Sequence, residues 1–107
     1  MGYPKKAARA VSDFQRLMAD IYLVRDKGRG SEWALKRLNG EIEELEAAIK
    51  NGRKKDVSAE LADVFAWLTS LSNLVGIDLE SASYRKYGMA DQNVITSDAI
   101  VPSNVSD

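Results

Sequence analysis

Four acidic residues in two matching pairs are the part of this sequence best suited to chemistry. Glu41 and Glu44 lie three residues apart in EIEELEAAI, and Glu60 and Asp63 lie three residues apart in SAELADVF. Residues three apart on a helix are neighbours on its surface. Two such pairs brought together would hold a divalent cation, whereas the same pairs on solvated helix faces would be ordinary surface charges. Spacing alone leaves both interpretations open.

The composition narrows the possible chemistry. The chain of 107 residues has no cysteine, no histidine and a net charge of −1. Disulfides, thiolate zinc sites, imidazole ligands and Ser-His triads are therefore excluded. The lack of a basic excess argues against a nucleic-acid partner, and no apolar run is long enough to cross a membrane. We expect a cytoplasmic protein with one domain and no membrane partner.

Apolar residues recur at spacings of three and four, which predicts an all-α fold, an antiparallel bundle of about four helices. The first predicted helix covers about residues 5–26 and is followed by a loop, DKGRG. Ser31 is the expected N-cap of the second helix, which ends at Asn51 and Gly52. The apolar stripes expected to face the core comprise Val11, Phe14, Leu17, Met18, Ile21 and Val24, then Leu35, Leu38, Ile42, Leu45 and Ile49.

The third and fourth predicted helices have clear end signals. Asp56 is the expected cap of the third helix, and Gly76 its end. Asp78 is the expected cap of a short fourth helix that reaches about Tyr87. The third helix is apolar over more than half of its circumference, which predicts a central position and a partner chain that covers part of it.

The end of the chain differs in character from the helices. Residues 88–107 have no helical period and are rich in Ser, Asp and Asn. We expect a loosely ordered tail there, with one short extended piece near residues 93–96, after a helical domain over residues 1–87.

The acidic pairs are expected to border the buried side of their helices. At about 100° per residue, Glu41 falls at the edge of the apolar stripe of the second helix. Glu60 falls about 20° from Trp67 and Asp63 about 20° from Leu74, within the apolar arc of the third. Carboxylates that converge there would repel one another unless a cation held them. Ligands that are all oxygen favour Mg²⁺ or Mn²⁺.

The stretches LNGEIEELEAAI, SAELADVFAWL and GIDLESASYRK resemble the MazG-type family of all-α nucleoside triphosphate pyrophosphohydrolases, over about residues 10–87. The family motif is E-x-x-E on one helix and E-x-x-D on the next, which Glu41, Glu44, Glu60 and Asp63 match position by position. The resemblance implies that these four residues bind Mg²⁺, with Mn²⁺ as an alternative. It implies hydrolysis of (deoxy)nucleoside triphosphates to the monophosphate and pyrophosphate, which would clear unwanted nucleotides. It also implies a homodimer or homotetramer.

The resemblance extends to the roles of single residues. Glu44 and Glu41 are the catalytic candidates, with Glu44 taking a proton from the attacking water. Lys86 matches a family lysine by its spacing from GIDLE. Gly40 stands where relatives often carry a further Glu, and Ala90 stands where an Asn is expected. Gly40 marks either a close approach by substrate or another helix, or neutral drift that removes a ligand.

Lys86, Arg29, Trp33 and Trp67 are the candidate substrate-binding residues. Arg29 either meets the triphosphate or is a solvated loop charge. Trp33 either stacks on a base or packs in the core, and Trp67 either walls the base pocket or packs. Two other functions stay open, namely hydrolysis of phosphoribosyl-ATP in histidine synthesis, and a non-catalytic helical interaction module whose acids are surface charges.

Overall fold

The structure is a computed structural model that describes residues 10–88. These residues form four helices and no strand: α1 Val11–Arg29, α2 Ser31–Asn51, α3 Lys54–Val75 and α4 Leu79–Tyr87. α3 packs against both α2 and α1, and α4 packs against α1. The all-α prediction and the central place of the third helix are therefore confirmed. The predicted tail and its short extended piece lie outside the described residues, apart from Gly88.

The connection between α1 and α2 is shorter than the expected DKGRG loop. α1 continues through Gly28 to Arg29, and the single residue Gly30 turns the chain with φ 95°. The prediction that the first helix ends at Asp26 is wrong because a glycine inside a helix costs only about 1 kcal/mol. Ser31 is not a cap either. It is the first residue of α2, and no side chain caps that helix.

Of the other helix ends, those at Gly52, Gly76 and Asp78 were predicted correctly, and the start of α3 was not. Gly52 and Gly76 end α2 and α3 in the left-handed conformation, as expected. Asp78 caps α4, and its Oδ2 accepts a hydrogen bond from the Ser81 backbone N–H at 3.2 Å. Asp56 does not cap α3, which begins two residues earlier after Arg53. Asp56 lies instead in the first turn, where a carboxylate also interacts favourably with the helix dipole.

α1 begins at Val11, the first residue of the predicted apolar stripe. Ala10 has an extended backbone, and the Asp13 Oδ2 accepts its N–H at 3.0 Å. That contact satisfies a backbone donor where the helix begins at Val11. The part of the expected helix before residue 10 lies outside the described residues.

Residues 10–88 leave part of the apolar stripes uncovered. Met18, Ala34, Leu38 and Ala48 are buried, and Phe14 stacks on Phe65 with ring centroids 5.0 Å apart. The prediction of a core position is wrong for one group of residues, which are exposed: Val11, Ile21, Val24, Leu35, Ile42 and Ile49. The reason is geometric, because the neighbouring helices cover only one side of each apolar arc.

A network of amide groups joins α1 to the turn between α3 and α4. The buried Gln15 side chain donates through Nε2 to Asn73 Oδ1 at 3.0 Å and to the Ile77 carbonyl at 2.8 Å. Its Oε1 accepts from the Leu79 N–H at 2.9 Å, and Asn73 Nδ2 donates to the Gln15 carbonyl at 3.0 Å. We call these four residues the polar junction. They position α4 beside α1.

Within residues 10–88, none of the helices combines the length and the apolar character that a membrane span requires.

Candidate functional site

The helical hairpin of α2 and α3 brings three of the four motif acids together. Glu41 lies on α2, and Glu60 and Asp63 lie on α3. One carboxylate oxygen from each of the three lies within 4.8 Å of the others. We call these three residues the acid cluster. The antiparallel course of the two helices produces it, since residues at similar distances from the turn at Gly52 come to the same height.

Two oxygens of the acid cluster are buried without a hydrogen-bond partner. These are the Oε1 atoms of Glu41 and Glu60. Burial, followed by the charges of Glu44 and Asp63, raises the pKa of both Glu41 and Glu60 above 4.5. A buried acceptor without a donor is costly. A hard divalent cation would satisfy such oxygens and offset their repulsion, so the residues present fit a metal.

Glu44 lies beside the acid cluster and acts on both of its glutamates. It is exposed, yet its charge contributes to the raised pKa values of Glu41 and Glu60. Asp63, which was predicted to lie within the apolar arc of the third helix, is also exposed. The apolar arc of α3 is wider than the surface that the other helices cover. Both carboxylates are therefore open to a ligand that approaches from solvent.

Two tryptophans lie at the other end of this surface. Trp33 on α2 and Trp67 on α3 meet edge to face, with centroids 5.3 Å apart and planes at 75°. The guanidinium carbon of Arg29 lies 5.0 Å from the Trp33 centroid, and that of Arg37 lies 5.4 Å from the Trp67 centroid. Arg25 lies 5.5 Å and 5.7 Å from the two centroids. We call these five residues the arginine–tryptophan cluster.

The two clusters adjoin each other. Arg37 precedes Glu41 by one helical turn on α2, and Trp67 follows Asp63 by one turn on α3. The Arg37 charge acts on Glu41 in the direction that lowers its pKa, opposing the larger effects of burial and acidic neighbours. Sequence reasoning had singled out Arg29, Trp33 and Trp67 but not Arg37. The available signal was the four-residue spacing of Trp33, Arg37 and Glu41, which marks one helix face.

Arg25, which sequence reasoning also missed, differs from the other two arginines. Its Nε and Nη2 both donate to the Oδ1 of Asp26, at 3.0 Å and 2.8 Å, and Asp26 is only 1% exposed. Its guanidinium also lies 4.7 Å from the Tyr22 centroid. Among the described residues, Arg29 and Arg37 form no ion pair. The cluster therefore holds one arginine that is in an ion pair, Arg25, and two that form none within residues 10–88.

Lys86 and Gly40, two other positions noted in the sequence, belong to neither cluster. Lys86 is exposed on α4, with its Nζ 5.8 Å from the Tyr87 centroid. Within residues 10–88 no hydrogen bond or ion pair joins it to the acid cluster, and its role stays a prediction. A Cβ built on Gly40 would meet no atom within 4 Å. No helix within residues 10–88 therefore approaches Gly40 closely.

Comparison with known families agrees with this geometry. Residues 29–94, more than half of the chain, match the MazG nucleotide pyrophosphohydrolase domain. The matched span includes the acid cluster, Glu44 and every member of the arginine–tryptophan cluster except Arg25. No curated protein matches the chain significantly.

Proposed function

The chain belongs to the MazG nucleotide pyrophosphohydrolase family, and from this premise we propose that it hydrolyses (deoxy)nucleoside triphosphates to the nucleoside monophosphate and pyrophosphate, with Mg²⁺ or Mn²⁺ as cofactor. One observation carries the proposal. The Oε1 atoms of Glu41 and Glu60 are buried without a partner beside Asp63. A surface that served only for protein contacts would have no use for such a costly arrangement. Removal of unwanted nucleotides is the corresponding proposed role.

Glu41, Glu60 and Asp63 are the proposed metal ligands, with Glu44 beside them as the fourth. Their donors are all carboxylate oxygens, which favours Mg²⁺ or Mn²⁺ over softer metals. When bound, the cation supplies Lewis-acid stabilisation of the negative charge that develops on the phosphoryl oxygens.

The residues in and around the acid cluster also provide proton transfer and substrate binding. Glu44 is exposed to solvent at the edge of the acid cluster, so its carboxylate can accept the proton of the water that attacks phosphorus. Glu41 shares this task as the neighbouring carboxylate. Arg29, Trp33 and Trp67 form the adjoining substrate-binding surface, with the Arg29 guanidinium group directed at phosphate.

A homo-oligomer is part of the proposal. Leu35, Ile42 and Ile49 recur every seven residues on α2 and are all exposed. A seam of this kind is typical of helices that pair with another helix, and exposed apolar patches commonly mark interfaces. We propose a second copy of this chain as the partner, in a homodimer or a homotetramer. Light scattering on Ile42→Glu, compared with the wild type, tests this directly.

The decisive experiment measures pyrophosphate release from a panel of canonical and modified nucleoside triphosphates, with Mg²⁺ or with EDTA. Wild type, Glu41→Gln and Asp63→Asn are compared with Glu43→Gln, a matched control on the exposed side of α2. We expect release that requires the metal, is lost in the two cluster variants and is retained in the control.

Other outcomes lead to the alternatives. Release from phosphoribosyl-ATP but from none of the panel nucleotides would replace the substrate and keep the mechanism. If the wild type released pyrophosphate from neither class of substrate, and Mg²⁺ left its thermal unfolding unchanged, the enzyme proposal would be wrong. A non-catalytic interaction module would then explain the fold better.

A further inference from the structure

We propose that Arg29 and Arg37 form an arginine pair that binds the polyphosphate of the substrate directly, and that Trp33 and Trp67 hold the two guanidinium groups in place for it. This inference rests on the proposed function and deepens it. It adds Arg37 to the site and gives the two tryptophans a positioning role.

The charges of the cluster single out these two arginines. Arg25 is compensated by the buried Asp26, which accepts two of its N–H groups through one oxygen. Arg29 and Arg37 have no such counter-ion among the described residues. A guanidinium group presents a planar fork of donors that matches phosphate oxygens. Two guanidinium groups on one surface that form no ion pair within residues 10–88 fit an extended anion.

The tryptophans restrict the motion of these forks. Arg29 lies over Trp33 and Arg37 lies over Trp67, at 5.0 Å and 5.4 Å from the ring centroids. The edge-to-face contact between the two rings fixes the rings relative to each other. A cation held on an indole face keeps its charge and its outward N–H groups available. Less rotamer entropy is then lost when the anion binds.

The position of the arginine pair suits a polyphosphate. Arg37 and Glu41 are four residues apart, a rise of about 6 Å along the helix. A polyphosphate bound through a cation at the acid cluster would therefore reach Arg37 along the same surface. Because the described arginines already lie over both indole rings, a base that stacked there would have to displace them. Recognition of phosphate rather than of the base follows for this part of the site.

Binding of inorganic tripolyphosphate tests the arginine pair without requiring hydrolysis. Isothermal titration with Mg²⁺ present compares wild type, Arg37→Gln, Arg37→Lys and Lys36→Gln. Lys36 is the adjacent exposed cation and serves as the matched control. We expect affinity to fall about tenfold in Arg37→Gln, to recover partly in Arg37→Lys and to change less than twofold in the control.

A titration of Mg²⁺ alone into the same variants distinguishes a ligand contact from an indirect effect. We expect Arg37→Gln to bind Mg²⁺ as tightly as the wild type or more tightly, because a positive charge beside Glu41 has been removed. Weaker Mg²⁺ binding in that variant would overturn the inference, since Arg37 would then act by arranging the acid cluster.

Three other results would also overturn it. These are no tripolyphosphate binding by the wild type, equal affinity in Arg37→Gln, and an equal loss in Lys36→Gln. The proposed function is judged separately by pyrophosphate release from the wild type. Arg37-dependent tripolyphosphate binding without hydrolysis of any nucleotide would leave the arginine pair standing and remove the enzyme.

Discussion

The acid cluster and the polar junction are both groups of polar side chains between helices, yet they differ in how far their atoms are satisfied. In the polar junction, both Nε2 hydrogens of Gln15 and its Oε1 have partners at 2.8–3.0 Å. In the acid cluster, the Oε1 atoms of Glu41 and Glu60 are buried with none. A satisfied network stabilises a fold. An unsatisfied one points to a ligand.

The two regions differ in charge as well. The polar junction consists of neutral amide groups, so it stabilises the protein without any bound ion. The acid cluster gathers carboxylates of one sign, and both Glu41 and Glu60 have raised pKa values because of burial and acidic neighbours. This difference predicts opposite consequences of mutation. Changes in the acid cluster affect activity, and changes in the polar junction affect stability.

Glu60→Gln gives the largest expected effect. The side chain keeps its size and loses its charge, so we expect metal-dependent pyrophosphate release to fall by about a hundredfold or more. Without metal, the variant should be at least as stable as the wild type, because repulsion with Asp63 and Glu44 is relieved. Pyrophosphate release and urea unfolding in EDTA measure the two quantities. If Glu60→Gln lost stability in EDTA and kept its activity, Glu60 would serve the stability of the fold and not the reaction.

Gln15→Ala gives the opposite pattern. It removes three side-chain hydrogen bonds and leaves the Leu79 N–H without its acceptor. We expect the free energy of unfolding to fall by about 2–3 kcal/mol, with pyrophosphate release per folded molecule unchanged. Arg16→Ala on the same helix is the control, because its ion pair with Asp13 is exposed and contributes little. A loss of activity in the folded Gln15→Ala protein would show that the polar junction also serves the site.

The pH dependence of stability gives a smaller contrast. Glu41 and Glu60 have raised pKa values in the folded chain, so without metal their contribution is full below about pH 4.5 and is lost as pH rises through the raised values. Asp78 behaves oppositely. Hydrogen bonds, first from the Ser81 side chain, lower its pKa below 3.8, so its contribution is lost as the pH falls through the lowered value.

Urea unfolding in EDTA across this pH range measures both slopes. We expect Glu41→Gln to weaken the loss of stability toward neutral pH, and Asp78→Asn to weaken the loss toward acid pH. Added Mg²⁺ should restore stability near neutral pH in the wild type. If Glu41→Gln left the loss of stability toward neutral pH unchanged, the charge repulsion assigned to the acid cluster would be absent.

Local signals explain which parts of the fold were predictable. The ends of α2 and α3 at Gly52 and Gly76 were correct because the left-handed conformation favours glycine. The Asp78 cap was also predicted correctly, because an Asp side chain readily accepts a hydrogen bond from a backbone N–H in the first turn of a helix. The start of α3 at Lys54 was not, because the choice between Arg53 and Asp56 as the capping residue depends on how the hairpin turn closes. Apolar spacing showed which faces are apolar but not how much of each face the other helices of residues 10–88 cover.

The site was predictable only where one helix carried the information. The spacing of Glu41 from Glu44, and of Glu60 from Asp63, predicted the hairpin acids. The lack of hydrogen-bond partners for the Oε1 atoms of Glu41 and Glu60 results from packing, so it cannot be predicted from residue types. Arg37 lies over Trp67, which belongs to α3. The spacing of residues on α2 therefore could not predict this contact.

Substitution of Gly40 gives the smallest expected effect, and it tests whether a change beside the acid cluster affects activity without lowering stability. A Cβ at Gly40 or Gly28 would meet no atom within 4 Å, and neither residue has a positive φ. We therefore expect Gly40→Ala and Gly28→Ala each to raise the free energy of unfolding by about 0.5–1 kcal/mol. The space at Gly40 adjoins Glu41. If substrate approaches there, an added methyl group obstructs it.

We accordingly expect pyrophosphate release to fall severalfold in Gly40→Ala and to stay unchanged in Gly28→Ala. Urea unfolding and initial rates on the same preparations provide both measurements. Equal activity in the two variants would assign Gly40 to neutral drift. A fall confined to Gly40→Ala, in a protein that has become more stable, would assign the loss to the position of the added methyl group beside the acid cluster, because unfolding is then excluded as the cause.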